Sequence, residues 1–181
     1  MNEKGLPKAV HLDSAAGENL HPSARETLLA ALDVGQADPR RLHRSARNAR
    51  LMLDNAREVV AQCLGARADE VTFTPSGTHA VHAGLLGLLA GRRRVSDLLV
   101  HSAVEHSSVL HVATRHQNAG GRVEVLPVDR SGRTLPYSPT DPVAVIAVQS
   151  ANHEVATLQP VDAIAEAAGD VPIFVDACAS T

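Results

Sequence analysis

The 181 residues hold almost no aromatic side chains: no Trp, one Tyr and two Phe, 2% of the chain. A core built from this sequence must therefore rest on Leu, Val, Ile and Ala. Hydrophobic residues still make up 44%, and this length is enough to bury a sizeable core. No apolar run approaches the roughly 18 residues that span a bilayer. The start, Met1-Asn2-Glu3-Lys4-Gly5-Leu6-Pro7-Lys8, has no hydrophobic stretch of the signal-peptide kind. Cysteine occurs twice, at Cys63 and Cys178, far apart and with no sign of a secreted disulfide framework. A reduced, cytoplasmic setting is the default expectation, and both cysteines read as small packing residues. The net charge of −3 carries no positive excess, which argues against a nucleic-acid partner or an anionic membrane surface. No metal site is expected. Internal repeats, low-complexity blocks and an interdomain linker are also missing.

What is present is an alternation of helical and strand patterns. Helices are predicted from Pro22 to about Asp33 and from Pro39 to about Leu64, the second ending near Gly65. A strand is predicted at Val71-Thr72-Phe73-Thr74, then a helix from about Thr78 to Leu89 with Val81, Leu85, Leu88 and Leu89 at helical spacing. A strand at 98–100, a helix at about 107–118 closed by Gly120-Gly121, and a strand at 123–126 follow. A Pro- and Ser-rich loop from Asp129 to Pro142 leads to a strand at 143–148, a helix at about 161–168 and a strand at 172–175. The later strands are nearly continuous apolar runs, as expected of a sheet covered on both faces. The fold class is thus α/β, a mostly parallel sheet with helices on both faces.

The stretch Thr74-Pro75-Ser76-Gly77-Thr78-His79-Ala80 turns from the first strand pattern into a helix. Such a turn aims free backbone N–H groups and the positive end of the helix dipole at one point, which suits a phosphate. Gly77 permits close backbone approach, and the Ser and Thr hydroxyls can meet phosphate oxygens. No Lys follows at the Walker spacing, so this is not a P-loop. The same pattern also serves as an ordinary tight turn. In parallel α/β sheets ligands sit beyond the carboxyl ends of the strands. Thr74, Ser102, Gln149 and Asp176 all fall at or just past predicted strand ends. Asp176, directly after Pro-Ile-Phe-Val, is either a turn or helix-capping carboxylate or a ligand group.

Four further blocks accompany this turn: His11-Leu12-Asp13-Ser14-Ala15-Ala16, Ala103-Val104-Glu105-His106-Ser107-Ser108-Val109-Leu110, Ala151-Asn152-His153-Glu154-Val155-Ala156-Thr157-Leu158-Gln159-Pro160 and Ile173-Phe174-Val175-Asp176-Ala177. In this order they resemble the blocks of the cysteine desulfurases, within the class V aminotransferase group of fold-type I pyridoxal-phosphate enzymes. The resemblance runs from about Val10 to Thr181. It implies part of the large domain of a pyridoxal-phosphate-dependent transferase, over residues 22–181 after an N-terminal segment 1–21. It implies pyridoxal 5'-phosphate as cofactor and L-cysteine or a related amino acid as substrate. Gly77 and Thr78 would cradle the phosphate. His106 would stack on the ring and shuttle protons as the catalytic residue. His153 would reach the phenolic oxygen, and Asp176 would pair with the ring nitrogen. The family is homodimeric, so a homodimer, or a second polypeptide completing the site, is expected.

Two positions depart from the family pattern. The usual Asn-Asn-Glu-[Ile/Val]-Gly block is Asn152-His153-Glu154-Val155-Ala156 here, and the usual Gln three residues after the aspartate is Ala179. Lysine occurs only at Lys4 and Lys8, before the first family block, so neither aligns with the lysine that binds the cofactor covalently. In the family that lysine lies in a Ser-x-His-Lys context further on. The mobile loop with the sulfur-accepting cysteine and the small C-terminal domain are not among these residues either. The expectation is an N-terminal half of a cysteine desulfurase-like enzyme. Alternatives are a selenocysteine lyase or aminotransferase of the same group, or a non-catalytic scaffold acting through a partner.

Overall fold

A computed structural model of the chain describes Gly17, residues 19–34 and residues 37–180. The block at 11–16 lies outside the described residues. The chain divides into two compact units, the first reaching Phe73 and the second beginning at Thr74.

The first unit is helical. Helix α1 spans Pro22–Asp33, with proline in its first turn and the His21 side chain accepting from Ser23 N. Helix α2 spans Arg44–Leu64, five residues later in its start than the pattern predicts. The reason is local hydrogen bonding. Asp38 Oδ1 accepts from Arg40 N at 2.9 Å, and Arg41 N donates to the Asp38 carbonyl, so 38–41 closes as a turn. His43 then caps α2 by accepting from Ala46 N. Gly65 ends the helix at φ 64°, the left-handed conformation that glycine adopts without a Cβ penalty. A single 3-10 turn, Ala68–Glu70, follows.

The strand predicted at 71–74 is not formed. Val71 is extended (φ −95°, ψ 124°), as its β-branched character favours, but among the described residues the segment pairs with no other strand. Extended propensity alone does not make a ladder. Phe73 instead is exposed, with the Arg57 guanidinium 5.9 Å from its ring centroid.

The second unit is a four-stranded, all-parallel sheet in the order β2-β1-β3-β4. Its strands are β1 (Leu98–Ser102), β2 (Arg122–Leu126), β3 (Val145–Gln149) and β4 (Ile173–Asp176). Between them run α3 (Gly77–Arg92) before β1, α4 (Ser107–Asn118) before β2 and α5 (Val161–Ala168) before β4. Alternate residues of each strand face opposite sides. Leu99, Val145, Ala147 and Phe174 pack with Val81, Leu85 and Leu89 of α3 and Val109 and Val112 of α4. Leu98, Val100, Ile146 and Val148 pack with Ile164 and Ala168 of α5 on the other face. Helices therefore cover both faces, and every residue of β1 and β3 is buried. Each buried Leu, Ile or Val contributes about 1.5–3 kcal/mol. This aliphatic core is what a chain nearly free of aromatics can build. Among the described residues no helix is long and apolar enough to cross a membrane.

Candidate functional site

Register places the last residues of the central strands side by side. Ser102 ends β1, Gln149 ends β3, and Asp176 ends β4 directly opposite Gln149. All three are buried polar residues at the carboxyl edge of an otherwise apolar sheet. That edge is where parallel α/β sheets bind ligands.

Helix α3 begins at the same edge. Ser76 is its N-cap, and its hydroxyl accepts from His79 N at 3.1 Å. The first helical backbone bond is Ala80 N to the Ser76 carbonyl. The N–H groups of Gly77 and Thr78 are left without an acceptor among the described residues, and both residues are exposed. A Cβ on Gly77 would lie 2.8 Å from Cys178 Sγ, so α3 starts close against the turn after β4 and a larger residue there would displace the Cys178 side chain. In that turn Asp176 Oδ1 accepts from Cys178 N at 3.1 Å.

Asp176 is 9% exposed and forms no ion pair among the described residues. Its carbonyl accepts from Ser150 N at 2.8 Å, which ties β4 to the segment after β3. Cys178 is exposed, as is Cys63, so neither is the core residue that the sequence suggests. Partial burial pushes the Cys178 thiol up, and the Asp176 carboxylate beside it pushes it further. Cys178 is thus a thiol at neutral pH, the less nucleophilic form.

The turn after β1 carries Glu105 and His106. His106 is the N-cap of α4, with Nδ1 accepting from Ser108 N at 3.2 Å and lying 2.8 Å from Ser108 Oγ. A neutral ring in this arrangement carries its proton on Nε2. His153 sits in the turn after β3, and its ring meets His106 edge-to-face, centroids 5.3 Å apart. The His153 turn is shaped by Asn152, whose Oδ1 accepts from Glu154 N and Val155 N at 2.9 Å each. Ala156 closes it at φ 57°.

The structure therefore brings His106 against His153 and Gly77 against the turn that follows Asp176, all at one edge of the sheet. Thr74 ends no strand, and its hydroxyl donates to the Ser76 carbonyl. Glu105 was not legible as a site residue, because a glutamate in a loop ordinarily faces water. It is 6% exposed, and burial pushes its carboxyl up to about 7. Hydrogen bonds from Ser102 and Gln149 N–H oppose that rise, and the Asp176 charge adds to it. The one available signal was its place beside His106, in the turn that follows an apolar strand.

The class V aminotransferase model matches residues 10–181. The chain belongs to this family. An IscS-like cysteine desulfurase of Mycobacterium tuberculosis is 34% identical over 180 residues, covering 92% of this chain and 45% of its own length. A NifS/IcsS protein homolog of Lactobacillus delbrueckii is 30% identical over 167 residues, covering 90% of this chain and 43% of its own. The chain thus spans less than half the length of the curated relatives it matches. Among solved structures, SspA in complex with cysteine superimposes with a TM-score of 0.81 at 25% identity, covering 91% of this chain and 49% of that one. A NifS-like protein superimposes at 0.80 with 23% identity and shares the fold, covering 91% of this chain and 48% of that one. As a class V chain it should accommodate pyridoxal phosphate, and two observations fit that group. The start of α3 offers the N–H groups of Gly77 and Thr78, without an acceptor among the described residues, at the carboxyl edge of the sheet. Asp176 is a buried carboxylate with no cation beside it among the described residues, the partner a pyridinium requires.

Proposed function

We propose that this chain is the cofactor-holding part of a pyridoxal-phosphate-dependent cysteine desulfurase-like enzyme. That activity removes sulfur from L-cysteine to leave alanine and a persulfide on an acceptor cysteine. The observation that carries the reading is the buried Asp176 carboxylate, with no cation beside it among the described residues, sharing one sheet edge with the open start of α3 and the His106–His153 pair. The supporting likeness is to cysteine desulfurases, at 34% and 30% identity over nine-tenths of the chain.

Pyridoxal phosphate, when bound, supplies an electron sink for bonds broken at the substrate Cα. The chain's own residues have four tasks. Gly77 and Thr78 would bind the phosphate with their N–H groups and the Thr78 hydroxyl, at the positive end of the α3 dipole. Asp176 would hold a proton on the ring nitrogen by its charge. His106 would lie against the ring and hold a mobile proton at Nε2, since Nδ1 is already engaged by Ser108. His153 would donate to the phenolic oxygen, in the role of the Asn usual there. The covalent lysine and the acceptor cysteine would come from outside these 181 residues, on the remainder of a longer chain or a second polypeptide. A homodimer and a cytoplasmic setting belong to the same reading.

The test is a sulfide assay with L-cysteine, pyridoxal phosphate and a thiol. The chain by itself should match the cofactor blank, because neither lysine aligns with the covalent one and the family's mobile-loop cysteine is not among these residues. Adding a polypeptide with the Ser-x-His-Lys block should give sulfide release that His106→Ala abolishes. Release from the chain alone, lost in Asp176→Ala, would mean that Lys4 or Lys8 takes the covalent role. If activity fails to appear with the added polypeptide while cofactor binding persists, the scaffold reading is favoured.

A further inference from the structure

We propose that Glu105 is the positioning residue of this site, holding the two histidine-bearing turns in place through its Oε1 and through the Val104 carbonyl beside it. The proposal rests on the reading of the site above only for what is being positioned; the network itself needs no cofactor.

Glu105 Oε1 accepts from the Ser102 hydroxyl at the end of β1 and from Gln149 N at the end of β3, the latter at 2.9 Å. One carboxyl oxygen thus joins the ends of two adjacent strands. The preceding residue repeats the link. The Val104 carbonyl accepts from Gln149 Nε2 and, at 3.2 Å, from Asn152 Nδ2. Asn152 in turn holds the backbone N–H groups of Glu154 and Val155, which closes the turn around His153. His106 follows Glu105 directly and caps α4. The pair Val104-Glu105 thus ties the His106 turn to the end of β3 and to the His153 turn.

A carboxyl is a costly choice for a purely structural clamp. Its Oε2 is buried and has no hydrogen-bond partner among the described residues. The groups around it are Ser102 from β1, Gln149 from β3, Asp176 from β4 and His106 at the start of α4, and Asp176 is the charge that acts on it. An ionised Glu105 would face that carboxylate with no cation between them among the described residues. The protonated acid keeps Oε1 as acceptor and removes the repulsion. Burial already favours that form, with the group pushed up to about 7. Proton loss near neutrality sets a second buried carboxylate beside Asp176, a strain on the two turns that the stronger hydrogen bonds from Ser102 and Gln149 to the anion offset only in part. Glutamine reproduces the protonated shape and cannot ionise.

The experiment compares wild type, E105Q and E105A by histidine-side-chain and methyl NMR on the chain, without cofactor, at pH 6 and pH 8. At pH 6 the His106 and His153 signals and the cross-peak between their rings should coincide in wild type and E105Q. In E105A the signals should move and the cross-peak should be lost. At pH 8 a difference between wild type and E105Q should open, with wild type moving towards E105A. Both proteins carry the same two imidazoles, so that difference reports Glu105. The methyl signals of Leu85 and Val109, buried in the core, should stay in place throughout. E105A signals that superimpose on wild type at pH 6 would overturn the proposal. So would core methyls that move with the imidazoles, since the role would then be folding alone. Should E105A not fold, the pH 8 comparison decides alone, and coincident wild-type and E105Q spectra there refute it. Pyridoxal phosphate is added last; a wild type that fails to bind it counts against the cofactor reading and leaves the imidazole result standing.

Discussion

Ala156 occupies φ 57°, where the family pattern places glycine. A Cβ in the left-handed region costs about 1–2 kcal/mol. The strain is local to the turn that carries His153, so Ala156→Gly should raise stability by about 1 kcal/mol, read as a shift in urea midpoint with an unchanged slope. Glu105 gives a second residue-scale expectation. Its carboxyl titrates at 4.5 when unfolded and at about 7 when folded, so the native state binds the extra proton between these values. Stability from this group is greatest below pH 4.5, falls as pH rises to about 7 and is flat above. The loss is on the order of 3 kcal/mol. Urea melts from pH 4 to pH 8 should show this slope in wild type relative to E105Q, and a parallel pair of profiles would refute it. Neither feature is readable in the sequence. A left-handed alanine and a buried glutamate both depend on what packs around a turn, not on which residues compose it.

Helix α3 shows how two identical residues on one element differ by environment. A Cβ on Gly84 would lie 2.7 Å from Phe174 Cε2, whereas Gly87 is exposed with nothing within 4 Å. Gly84→Val should overpack the α3–β4 contact and cost about 1–3 kcal/mol. Gly87→Ala should instead gain up to about 1 kcal/mol from helix propensity. Thermal melts of the two variants should move in opposite directions. At this scale the sequence was informative wherever an element makes its own signal. The period of α3, the apolar runs of β1, β3 and β4, and Gly65 as the stop of α2 all appear as expected. It misled where formation needs a partner or a competing bond. Residues 71–74 have strand residues but no strand to pair with among the described residues, and the Asp38 turn delays α2.

At the scale of the whole molecule the alternating pattern was enough to give a parallel sheet covered on both faces. The parallel order also explains why Ser102, Gln149 and Asp176, scattered over 75 residues of sequence, meet at one edge. The network through Val104 and Glu105 was not legible, because it joins backbone groups of segments more than 40 residues apart. In the proposed function this edge holds pyridoxal phosphate through Asp176 and the start of α3. The most direct measurement is a fluorescence titration of the chain with pyridoxal phosphate, run beside Asp176→Ala and Thr78→Val. Wild type should bind saturably, and each variant should lose about 1.5–3 kcal/mol of binding, the worth of one hydrogen bond to a charged group. Circular dichroism should show all three folded alike. Saturable binding of equal strength in wild type and Asp176→Ala, or no saturable binding at all, would contradict the claim.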